Sequence, residues 1–194
     1  MPEGKSLPVE FDELLAAEFN YIAQTAVQAN EDRARVSSFY LIAVGSAVAA
    51  LLGTQLLDIN SPSRTVNLIF SGLFALLTLL GTSTVMQLAR LRSAWYESAL
   101  AMNQLKDYMI TQNTTLNQAF RWKTSTLPSI RKKDSISYYQ ALEVALISGL
   151  MLGAAAFFLQ RAFLPIGFLH WVLSGVIAIA TIYLQLALYR RALR

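Results

Sequence analysis

One carboxylate interrupts an otherwise apolar stretch long enough to cross a bilayer. Glu143 stands alone between Asp134 and Gln160. A charged group held about two turns inside lipid is costly, usually faces protein or water, and is by default a functional group. Repeated around a symmetric assembly, Glu143 could line a cation path as a ring, a pore or ion site. Its structural alternative is an ion pair with Lys133 or Arg190 at the bundle edge. The residues alone leave both open.

Other reactive side chains are few. His170 is the only histidine and there is no cysteine. A haem held by two histidines, a His-rich metal site and thiolate chemistry therefore cannot be built within one chain. No spacing pairs a nucleophile with a base, and no glycine-rich loop could cradle a phosphate. We expect no enzyme, no catalytic residue, no metal and no cofactor. His170 reads as an interfacial hydrogen-bonding residue.

The elements that must position Glu143 are membrane helices. Residues 36–57 and 66–89 carry no charge, 138–160 carry only Glu143, and 165–189 have only His170 as an ionisable group of note. About 20 residues at roughly 1.5 Å each cross a hydrocarbon core of ~30 Å. Lipid cannot satisfy backbone polar groups, so each run must be a helix. The expected fold is all-α, four transmembrane spans in two hairpins. Asp58–Thr65 closes the first hairpin around Asn60 and Pro62, and Arg161–Pro165 the second. Met1 to Arg35 contains no short apolar core with a small-residue cleavage site, so the first span is expected to act as its own insertion signal.

Orientation follows from the basic residues. Fourteen of the sixteen Lys and Arg fall in the two terminal segments and the central one, and only Arg64 and Arg161 fall on the other side. That asymmetry predicts both termini and residues 90–137 in the cytoplasm. The layout is similar to that of small four-span bacterial membrane proteins, pore-forming effectors among them, although no residue motif carries the likeness. A bacterial inner (plasma) membrane is the expected location.

Outside the bilayer, residues 1–35 read as an amphipathic helix with Phe11, Leu15, Phe19 and Ile22 on one stripe. Nothing between Glu31 and Val36 breaks it before the first span. The second span continues into a heptad-like seam of Leu91, Trp95, Ser98, Met102 and Leu105. An antiparallel cytoplasmic coiled-coil stalk is the expectation; an amphipathic helix lying on the lipid surface is the alternative. Charge favours pairing, because residues up to Arg35 hold seven acidic against three basic side chains and Arg90 to Lys133 hold eight basic against two acidic. The run Arg131-Lys132-Lys133 is expected on anionic headgroups rather than on nucleic acid.

Small residues mark contact faces at a four-residue period: Gly45, Ala49 and Gly53 in the first span, and Ala145, Gly149 and Gly153 in the third. Ser174 and Ala178 offer a match in the fourth. The sum points to a homo-oligomeric membrane protein, an ion channel or membrane-perturbing pore regulated through its stalk. A non-conducting accessory or scaffold subunit that docks a cytoplasmic protein is the alternative. A small proton-coupled transporter is third, since the spans lack paired Gly/Pro-broken helices.

Overall fold

The computed structural model describes residues 11–53 and 63–193, apart from the side chains of Phe11 and Asp12. These residues form α1 (Phe11–Gly53), α2 (Arg64–Gln112), a single turn α3 (Leu116–Ala119), α4 (Ile136–Phe163) and α5 (Phe168–Ala192), with a 3₁₀ turn at Thr124–Thr126. No strand occurs among them. Residues 54–57 of the first span, most of its connection to the second, and the position of the Phe11 side chain lie outside the described set.

Local chemistry sets the helix limits. Ser63 Oγ accepts from Val66 N at 3.3 Å and opens α2; Ser135 Oγ accepts from Tyr138 N at 3.3 Å and opens α4. Both supply an acceptor to a helix start that has none. Asn113 turns to extended backbone and ends α2, and Leu164 does the same for α4. From Glu31 to Val36 no glycine or proline intervenes, and α1 runs through without a joint, 43 residues in all. At ~1.5 Å per residue α1 is about 65 Å long and the 49-residue α2 about 74 Å. Each is roughly twice the thickness of a hydrocarbon core.

Packing follows the order α1, α2, α4, α5. The α2–α4 pair forms the centre, α1 lies along α2, and α5 lies along α4 with a lighter contact to α2. Among the described residues α1 and α5 do not touch, so the bundle is an open row rather than a closed ring. Its core gathers Tyr40 and Val44 of α1, Phe70, Phe74, Leu77, Val85 and Leu88 of α2, and Ala141, Val144 and Ala145 of α4. Phe158 sits edge-on to Phe70 and stacked on Phe74, with ring centroids 5.2 and 5.7 Å away.

Four of the helices are long and apolar enough to cross a membrane. Their outward faces carry Phe39, Ile42, Leu79, Leu150, Leu173 and Ile179, all exposed. Apolar surface on this scale is what lipid would cover.

Beyond the central core α1 and α2 run antiparallel. Thr25 Oγ1 meets Ser98 Oγ at 3.1 Å, and the Lys106 ammonium stands 5.8 Å above the Phe19 ring. Ile22, Ala26 and Ala29 are buried here, while Leu15 and Phe19 are half-buried. On α2 the most buried line is Leu88, Arg92, Ala99 and Asn103; Leu91, Trp95, Met102 and Leu105 are half-buried beside it. The line is rotated from the heptad seam because α2 is covered twice. On one flank lies α1. On the other, the connector donates or accepts at three points: Asn103 Nδ2 to Lys123 O (3.2 Å), Thr124 N to Asp107 Oδ2 (3.2 Å) and Arg92 Nε to Ile130 O (2.8 Å).

Candidate functional site

Glu143 lies on the outer surface of α4. Over residues 136–150 of this helix the exposed side chains are Ile136, Tyr139, Glu143, Leu146 and Leu150, one stripe at steps of three and four that turns away from α2 and α5. Among the described residues the only ion pair is Arg35 with Asp32, at 3.6 Å, so neither Lys133 nor Arg190 closes on Glu143. A carboxylate about two turns inside α4 thus stands on an apolar face with no ion-pair partner among the described residues.

The inward face of α4 is built from small residues. Ala145, Gly149 and Gly153 are all buried. A Cβ placed on Gly149 would lie 2.4 Å from Ile182 Cγ1 and 2.7 Å from Ala178 O; one on Gly153 would lie 3.0 Å from both Ala178 Cβ and Ser174 O. This ribbon is therefore what lets α5 approach α4, and Ser174 and Ala178 are its partners. The first-span ribbon has no such role among the described residues. Gly45, Ala49 and Gly53 are exposed, and a Cβ on either glycine would meet no atom within 4 Å.

Between these two faces lies a polar layer that the sequence reading did not single out. Gln185 of α5 is 2% exposed, and its amide donates to Ser148 Oγ at 2.7 Å and Thr82 Oγ1 at 2.8 Å. Ser148 donates to Thr78 O (3.2 Å), and Thr78 Oγ1 shares its proton between Phe74 O (3.0 Å) and Ser148 O (3.3 Å). Gly81 leaves room beside them: a Cβ there would stand 2.6 Å from Ser148 Oγ and 2.8 Å from the Tyr40 hydroxyl. One layer thereby bonds α2, α4 and α5 together, with Tyr40 of α1 packed beside it. It also fills the middle of the bundle. The available signal was Gln185 itself, an uncharged but strongly polar amide in an apolar span.

A third feature gathers at the end of the bundle where α2 leaves the core, α4 begins and α5 ends. Arg131, Lys132 and Lys133 line a cleft of about 370 Å³ together with Arg92, Arg190 and Arg191. Nearby, Arg33 donates to Asn30 Oδ1 (2.8 Å) and to Ser137 Oγ. Burial, and then the neighbouring Arg92 charge, hold the Arg33 guanidinium below its usual range. His170, at the opposite end, accepts from Gly167 N at 3.2 Å and caps its own helix.

No family model matches the chain, and neither curated proteins nor solved structures contain a match to it.

Proposed function

We propose that the chain is the subunit of a homo-oligomeric channel in which Glu143 of each copy borders a cation path between subunits. The observation that carries this is the outward placement of Glu143 on α4, without a cationic partner among the described residues. Exposing a carboxylate to lipid costs on the order of 3 kcal/mol at the centre of a span on insertion scales, and less toward its end. A second copy facing it across water removes that cost. The bundle interior offers no rival path, since Ser148 and Gln185 are buried and bonded in its middle. Gly45, Ala49 and Gly53, all exposed among the described residues, supply a further face on which copies can meet.

On this proposal the paired outer parts of α1 and α2 form a stalk on the cytoplasmic side, long enough to couple a cytoplasmic signal to the spans. Their length beyond a ~30 Å core supports that placement, as does the charge asymmetry of the sequence. A transporter has weaker support, because all four apolar helices are unbroken among the described residues.

The mass of the purified complex, measured by light scattering with the detergent contribution subtracted, tests the assembly. A mass of several chains is expected. A single chain of 21.5 kDa at all protein concentrations would refute the channel and leave the accessory-subunit alternative, in which the stalk docks a cytoplasmic partner.

A further inference from the structure

The basic cleft has properties that a topology signal does not need. Charges that only orient a chain can sit on the surface, as Arg90 and Arg121 do. Arg92 is instead 7% exposed inside the cleft wall, bonded through Nε to Ile130 O. Tyr189, also in the wall, is 1% exposed, and its hydroxyl has no hydrogen-bond partner among the described residues. A buried cation and a buried unpaired hydroxyl are both costly unless something completes them. Among the described residues no carboxylate lines the cleft to do so. Arg33 stands behind as a further cation, with no ion pair of its own among the described residues.

We infer that this cleft binds a phosphate-bearing anion, the headgroup phosphate of an acidic phospholipid, with Arg92 and the Tyr189 hydroxyl at the phosphate and Arg190 and Arg191 at its rim. A guanidinium presents paired donors that match phosphate oxygens, and a buried one holds them in a fixed direction. The volume, about 370 Å³, accommodates a headgroup and its phosphate. A lipid source fits the location, because the cleft opens where α4 and α5 meet the end of their apolar faces and Tyr138 and Leu193 complete its wall. The site goes beyond surface contact by Arg131, Lys132 and Lys133 and does not depend on whether the protein conducts.

The test uses the full chain, delipidated in detergent, and native mass spectrometry with phosphatidylglycerol, phosphatidylcholine and, as a soluble phosphate, inorganic pyrophosphate. Phosphatidylglycerol should be retained over phosphatidylcholine. Its affinity should fall about tenfold or more in Arg92→Gln, the loss of a charge-assisted bond. It should fall about 25-fold in the exposed double variant Arg190→Gln/Arg191→Gln, about fivefold for each of the two charges. The control Arg90→Gln/Arg121→Gln should stay within about twofold, since a charge outside the cleft makes no contact with the phosphate. If Arg92→Gln fails to fold, the rim double variant decides. Pyrophosphate retained with the same variant losses, and phosphatidylglycerol not, would keep the phosphate site and assign it a soluble ligand. Equal retention of both lipids without pyrophosphate binding, or equal losses in the control and the cleft variants, would overturn the site.

Discussion

Gly149→Ala and Gly45→Ala place the same methyl group into two different surroundings. At Gly149 the new Cβ would stand 2.4 Å from Ile182 Cγ1 and 2.7 Å from Ala178 O. A side chain can rotate away, but a backbone carbonyl moves only if α5 retreats from α4. Forcing extra volume into such a contact costs about 1–3 kcal/mol. At Gly45 nothing among the described residues lies within 4 Å. The comparison is made on chains dispersed to monomers by detergent, so that the proposed contact between copies does not enter it. Both variants gain the same helix preference, roughly 0.5–1 kcal/mol, from replacing glycine inside a helix. That gain cancels in the comparison and leaves Gly149→Ala about 1–3 kcal/mol less stable than Gly45→Ala. Reversible unfolding in mixed detergent and SDS micelles, followed by energy transfer between labels on α4 and α5, reads the difference. Equal stabilities, or a more stable Gly149→Ala, would refute close packing of α4 on α5 through the small-residue ribbon.

Gln185→Leu removes two donations, to Ser148 and Thr82, together with an amide oxygen that is buried without a partner. Interhelical bonds in membranes average about 0.6 kcal/mol, so a loss of roughly 1 kcal/mol is expected in the same unfolding assay, and one above about 4 kcal/mol would contradict the bonding described. Ile22→Asp puts a charge into the buried α1–α2 contact, and limited proteolysis should then cut faster near Gln112 while membrane insertion is kept; unchanged cleavage would refute the pairing of these outer helices. Single cysteines at Ser63 and Ser125, in a chain that has none, should label from opposite faces of intact cells, and labelling of both from outside would refute the topology.

What could be read in advance and what could not divides along physical lines. The four apolar helices were legible because a hydrocarbon core selects on length and composition alone, and both are local. The unbroken passage from residue 35 to residue 36 was legible for the same reason, since helix breakers act locally and none is present. A four-residue period identified the face of Gly149 and Gly153. It could not say that Ile182 and Ala178 lie on that face, nor that the equally regular Gly45 face meets nothing among the described residues. Those are facts about which helix is next to which. The heptad seam was set one step aside from the most buried line because a seam assumes one partner, whereas the connector adds a second through Lys123, Thr124 and Ile130. Arg92 read as one juxtamembrane charge among many until folding buried it beside Tyr189 and the 131–133 run. Gln185 was passed over because hydropathy averages hide one amide among apolar neighbours, while its role depends on Ser148 and Thr82 arriving from two other helices.

The placement of Glu143 bears most of the functional weight, and its charge can be removed at nearly constant volume. The purified protein and its Glu143→Gln variant, each reconstituted in a planar bilayer under a salt gradient, should differ in reversal potential. Wild type should show a current with cation preference, and the variant should shift toward no preference while its assembly mass is unchanged. Identical reversal potentials in the two proteins, or wild type that passes no current at any voltage or lipid composition, would contradict a cation path bordered by Glu143.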